Sequence, residues 1–202
     1  MTTIIHTPFV FGSTHFYSHY LKADGIILDQ YEHYQKRTGR NRYSILTTHG
    51  VQTLSIPLIK GKNERQAMKD VKIAYHDRWV ENHLHTIKSA YGKSPFFENF
   101  FDDIDMILNK RFNFLLDLNL ATLTFAMKKL KYIGNVEVSD QYIQPEVDTN
   151  EDYLDLRKSQ NVLEKPSTPY TQVWAEKYEF APNLSILDLL FCTGPQAAII
   201  LR

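Results

Sequence analysis

At 202 residues the chain has the length of one ordinary domain able to bury a full hydrophobic core. Lys plus Arg and Asp plus Glu balance at 23 each, which removes the positive field that nucleic-acid or anionic-membrane binding draws on, so neither partner is expected. With 43% hydrophobic and 23% charged residues the composition excludes a disordered or fibrous protein, and the single cysteine, Cys192, excludes an internal disulfide and fits a reducing, cytoplasmic setting.

No run approaches the roughly twenty apolar residues of a membrane span, and the Met-Thr-Thr-Ile-Ile-His start lacks the basic and apolar regions of a secretory signal. Residues 3–10 are β-branched and apolar and predict a buried first strand ending near Gly12. Ser13 or Thr14 then caps a short helix carrying His15, Phe16, His19, Tyr20 and Leu21, and residues 25–29 form a second strand with Asp29 at its carboxyl end. Ligands of open α/β sheets sit outside the carboxyl ends of strands, which places Asp29 where a site is expected.

Residues 43–48 and 51–57 are β-prone runs around His49-Gly50 and predict a β-hairpin. Lys60 to Arg65 reads as a solvated loop and residues 71–75 as a further strand. Trp79, Val80, His83, Leu84, Ile87 and Tyr91 recur at helical spacing up to Gly92, followed by helices over residues 96–108 and 112–132, with Gly134 as a C-terminal cap. Residues 136–138 predict a short strand. Between Ser139 and Thr171 the periodicity fades around Pro145, Pro166 and Pro169, so this stretch is expected to be an irregular strap serving as lid, packed arm or interface. Residues 172–180 read as helical or mixed structure. Ser185 and Asp188 fit a capping box opening a buried helix that Gly194-Pro195 ends. The expected fold is therefore α/β, a mixed sheet with a β-hairpin flanked by helices in one domain.

The polar centre lies between Asp29 and Arg42. Arg37, Arg40 and Arg42 are suited to grip phosphate or carboxylate through two parallel hydrogen bonds, Asn41 to orient it, and Asp29 or Glu32 to hold a hydroxyl or act as base. The competing reading is a solvated loop whose charges pair locally. His76 offers a second proton carrier, and Trp79 and His83, four apart, share a helix face as a stacking platform with a titratable group; the alternative is a core indole beside a hydrogen-bonded imidazole. His15 and His19 have metal-ligand spacing without a second ligand pair, so no metal is assigned, and no Gly-rich phosphate loop or nucleophile elbow names a cofactor or hydrolase chemistry. Asn183 has no structural role in the sequence reading and is expected to support the site, with Asp188 behind it.

Dispersed matches run along the chain: the Ile-Ile-His start, residues 29–36 leading into Arg40-Asn-Arg42, the Leu-Ser-Ile-Pro57 strand, residues 71–76, Trp79, Ala90-Tyr91, Ser94 to Phe97, residues 116–119, residues 182–191 and Gly194-Pro195. On these the chain resembles the WbqC-like family, most closely its shorter, Bacteroidetes-type members. His6-Thr-Pro8 keeps the histidine and proline of the longer members' opening pattern, whereas residues 11–16 depart from it. The resemblance implies surface-polysaccharide (O-antigen type) biosynthesis. It leads to an expected enzyme acting on a sugar nucleotide or activated amino sugar, a transferase among the candidates. Asp29 and His76 would manage protons, and Glu32, Lys36, Arg40, Asn41, Arg42, Trp79, His83 and Asn183 would bind substrate. The alternative is a non-catalytic accessory or scaffold protein, in which the strap packs on a partner or makes a homodimer.

Overall fold

A computed structural model of the chain describes residues 2–59, 66–144, 153–157 and 168–202. The opening of the chain forms a β-α-β unit: β1 (Thr3–His6), α1 (Thr14–Tyr20) and β2 (Gly25–Leu28). β1 and β2 pair in parallel with Ile4 opposite Ile26 and His6 opposite Leu28. The first strand is shorter than its apolar run predicts, because residues 7–13 leave the sheet and wrap around its carboxyl end before α1 begins.

The hairpin β3 (Arg42–Thr47) and β4 (Gly50–Ser55) forms where the β-prone runs predict it, with Thr47 opposite Gly50. Gly50 sits at φ +94°, a turn geometry that favours glycine. The predicted strand over residues 71–75 is replaced by a 3-10 turn (Met68–Asp70) and isolated bridges, Leu58 with Ile73 and Lys72 with Phe114. Val71, Ile73 and Ala74 are nonetheless buried, so the β-like run reflects core packing without a ladder. The helices α2 (Trp79–Tyr91), α3 (Phe97–Asn109) and α4 (Leu115–Lys129) follow the predicted periodicities, α4 ending earlier than expected at Lys131, which adopts the left-handed region at φ +53° in place of Gly134.

β5 (Asn135–Val138) pairs with β2, and β6 (Tyr153–Asp155) pairs with the free side of β1, giving a four-stranded parallel sheet of order β5-β2-β1-β6. β6 lies within the stretch expected to be irregular, a correction to that part of the sequence reading. The solvated loop expected over residues 60–65, and much of the strap, lie outside the described residues. Residues 173–177 form turns where helical or mixed structure is expected.

The tail forms α5 (Ile186–Thr193), then a 3-10 turn and α6 (Ala197–Leu201). Ile186, Leu187, Leu189, Leu190 and Phe191 are all buried, each contributing about 1.5–3 kcal/mol of apolar transfer, which makes α5 a central core helix. It packs against α3, the hairpin and α1. Gly194 terminates it at φ +53°, and any side chain there would meet the Phe96 ring at 2.5 Å. The capping box is only half formed. Ser185 accepts the Leu187 N–H and donates to the Phe11 carbonyl, whereas the backbone N–H of Ser185 donates to Ser44 and leaves the Asp188 carboxylate to face the interior.

The result is a mixed α/β fold in which a parallel sheet and an antiparallel hairpin are flanked by helices. No helix among the described residues is long and apolar enough to cross a membrane.

Candidate functional site

The strand order places β2 and β6 on opposite sides of β1, and the segments that follow these three parallel strands meet at their carboxyl ends. This is the crevice where α/β sheets bind ligands. Here it is occupied by a closed ionic knot. Asp29, directly after β2, accepts the backbone N–H groups of Tyr31 (2.9 Å) and Glu32 (3.1 Å) on Oδ1 and Arg157 Nη1 (2.7 Å) on Oδ2. Arg157 also donates from Nε to both oxygens of Asp155 at 2.9 Å. Burial opposes the charge on the Arg157 guanidinium, but hydrogen bonds and attraction from Asp155 and Asp29 hold its pKa above the usual arginine value.

Beside this pair, the Glu32 carboxylate accepts from the Thr7 hydroxyl and from Arg40 Nη2, while Arg40 Nη1 reaches the Thr38 hydroxyl at 3.2 Å. Arg40 has 0% exposure, and its guanidinium lies 5.5 Å from the Phe9 ring centroid. Asn119 on α4 ties the two neighbouring loops together by donating to the carbonyls of Pro8 and Arg40, both at 2.8 Å. His6 sits behind Phe9 and Phe16, with Nδ1 paired to the Tyr20 hydroxyl. Burial, then the charges of Arg40, His15 and His19, lowers its pKa well below the ordinary histidine value and keeps it neutral.

Next to the knot opens a cleft of about 360 Å³. Its walls come from the loop after β1 (Phe9, Phe11, Gly12, Ser13), the start of α1 (His15, Phe16), the turn Arg37-Thr38-Gly39, the hairpin (Arg42, Tyr43, Ser44, Thr53) and the entry to α5 (Asn183, Ser185). Among the described residues no Asp or Glu lines it. Among the described residues neither Arg37 nor Arg42 forms an ion pair, and the buried Nε of Arg42 has no hydrogen-bond acceptor. Of the left-handed non-glycine residues among the described ones, Phe11 (φ +42°), Arg37 (+62°) and Asn183 (+56°) sit in these walls. Backbone held in this region costs of order 1–3 kcal/mol per residue and concentrates at ligand sites. Gly39 shapes one wall: a Cβ there would lie 2.3 Å from Phe9 Cδ2, so the ring rests where only glycine leaves room.

The structure distributes the sequence candidates over several places. Arg42 and Asn183 line the cleft. Asp29, Glu32 and Arg40 belong to the knot beside it. Asn41 is buried with its amide engaged, accepting from the Tyr34 hydroxyl (2.9 Å) and donating to the Ile56 carbonyl (3.0 Å). Lys36 is exposed on the neighbouring turn. Trp79 and His83 share a face as their spacing predicts, ring centroids 5.1 Å apart, but both lie in the core: the indole donates to the Ala74 carbonyl (3.0 Å) and His83 Nδ1 meets the Tyr43 hydroxyl (3.0 Å). Burial lowers the His83 pKa to about 4. His76 is 66% exposed beside Asp77 at 3.1 Å and does not line the cleft.

Asp188 lies outside the cleft lining, in a buried web that accepts from the hydroxyls of Tyr91 (2.7 Å) and Tyr170 (2.5 Å) and the Gln172 amide (2.9 Å). Burial raises its pKa while the three donors act in the opposite sense. His15 and His19 approach to 4.8 Å between ring centroids, and no cluster of three or more metal-ligating side chains occurs among the described residues. The sequence reading misses Asp155, Arg157 and Gly39, whose roles depend on distant partners.

The WbqC-like protein family model matches residues 11–164. The chain belongs to that family. The matched span includes the Arg37 to Arg42 turn, the hairpin and Arg157 and excludes β1 and α5. No curated protein and no solved structure matches the chain.

Proposed function

We propose that this protein serves surface-polysaccharide biosynthesis by binding a small phosphorylated sugar, of the sugar-nucleotide or activated amino-sugar class, in the cleft bounded by Arg37, Arg42 and Asn183. One observation carries the reading: among the described residues the cleft wall contains two arginines and no acid, and the buried Nε of Arg42 has no acceptor. Guanidinium groups recognise phosphate through paired, charge-assisted hydrogen bonds, and the neighbouring carboxylates of Asp29, Glu32 and Asp155 are engaged by Arg157 and Arg40, which leaves the charge of Arg37 and Arg42 for a ligand. Hydroxyls of Ser13, Ser44 and Thr53 supply neutral partners for a sugar. His15 is the titratable imidazole in the wall and the group placed to exchange a proton in a transfer reaction.

Calorimetry of the full chain against a panel of sugar nucleotides and sugar phosphates tests this. At least one should bind, and Arg42→Ala should weaken it about tenfold or more, the effect of losing a hydrogen bond to a charged group. Absence of binding across the panel, or full affinity in Arg42→Ala, would sink it. A second reading, an accessory or scaffold protein, draws on β5, an outer strand whose four residues are all exposed. A monomer by light scattering at high concentration would count against that one.

A further inference from the structure

We infer that the cleft encloses the phosphate ester of one monosaccharide and gives no enclosed place to a nucleoside. This rests on the anion-binding reading above and narrows its ligand. Size comes first. A volume of about 360 Å³ is at the small end of ligand pockets, which run from about 300 to 1,000 Å³. A hexose phosphate is of that order, whereas a sugar nucleotide has more than twice as many atoms.

The walls resist enlargement. Phe9 is held between the bare backbone of Gly39 and the Arg40 guanidinium, and Arg40 is itself fixed by Glu32 and Thr38. On the other side Phe16 meets Phe9 edge to face, ring centroids 4.9 Å apart. Moving Phe9 to open the cleft here would give up its contacts with the Arg40 guanidinium and the Phe16 ring together.

The charge match is equally specific. A phosphate monoester carries about −1.5 to −2 at neutral pH, a charge two guanidinium groups can balance. The Phe9 and Phe16 rings offer the apolar surface that suits the C–H face of a pyranose. Neutral sugars lack the anchor, because among the described residues no carboxylate in the wall provides the strong acceptors that hydroxyl groups alone would need.

Isothermal titration of the full chain with glucose-1-phosphate, UDP-glucose, inorganic phosphate and glucose separates the outcomes. Expected is binding of glucose-1-phosphate about tenfold or more tighter than inorganic phosphate, UDP-glucose no tighter than glucose-1-phosphate, and no binding of glucose. Arg37→Ala, an exposed position that should fold normally, and Arg42→Lys, which keeps charge but loses the planar fork, should each weaken glucose-1-phosphate. UDP-glucose binding tenfold tighter than glucose-1-phosphate would overturn this inference and leave the wider proposal standing. Equal binding of inorganic phosphate and glucose-1-phosphate would remove the sugar. Absence of binding by every phosphate probe would remove both.

Discussion

Arg40 and Arg42 stand two residues apart in sequence, yet the knot and the cleft treat them in opposite ways. Arg40 is sealed from solvent, with Glu32, Thr38 and the Phe9 ring around its guanidinium. Arg42 begins a strand of the hairpin and lines a cavity with no acid among the described residues of its wall. Arg40 lies in the turn before the hairpin and Arg42 opens β3, so the change from turn to strand gives two arginines close in sequence different surroundings. A cluster of like residues therefore does not define a site; the partners brought to each member do.

The sharpest way to break this contrast is to truncate the knot. Arg40→Ala should cost about 3–5 kcal/mol in denaturant unfolding because it strands the Glu32 carboxylate in the interior. A loss below 1 kcal/mol with abolished ligand binding would place Arg40 in the recognition class instead. Gly39→Ala should come next, at about 1–3 kcal/mol, since the new methyl displaces Phe9, and it should also reduce the cleft's affinity for its ligand. An unchanged structure and affinity would mean that Phe9 is not held as described.

Acid should separate buried imidazoles from the rest. His83 is neutral in the fold with a pKa near 4, against 6.5 for an ordinary histidine, so between these values the unfolded chain binds a proton that the folded one refuses. Stability should be fully present above pH 6.5 and fall as the pH drops toward 4, with His6 acting in the same sense. His83→Gln should flatten that slope in melts across the window; an unchanged slope would deny the burial effect. Smallest of all, Arg37→Ala should change stability by no more than about 0.5 kcal/mol, as for an exposed side chain without an ion-pair partner, while weakening phosphate-bearing ligands.

Much of the fold was legible because it is local. Alternation and turn residues mark the hairpin, β-branched runs mark β1 and β2, and helical spacing marks α2 to α4. What was not legible depends on distance in sequence. β6 is three residues long and acquires its identity only by pairing with β1, and Arg157 finds Asp29 across 128 residues. Asp188 shows a different limit. Ser185 followed by an acid three positions later spells a capping box, but the same spacing also suits a buried carboxylate, and only the tertiary positions of Tyr91, Tyr170 and Gln172 decide between them. Arg42 and Asn183 could be named from sequence, whereas their convergence on one cavity required the fold.

The pairing of Asp29 with Arg157 also sets a timetable for synthesis. At about 5–20 residues per second, the 128 residues between them take on the order of ten seconds to emerge from a ribosome. Throughout that interval β1 has one unpaired edge and Asp29 lacks its guanidinium partner. The nascent chain therefore presents an incomplete parallel sheet until its last strand arrives, a period in which chaperone capture or edge-to-edge association competes with completion of the fold.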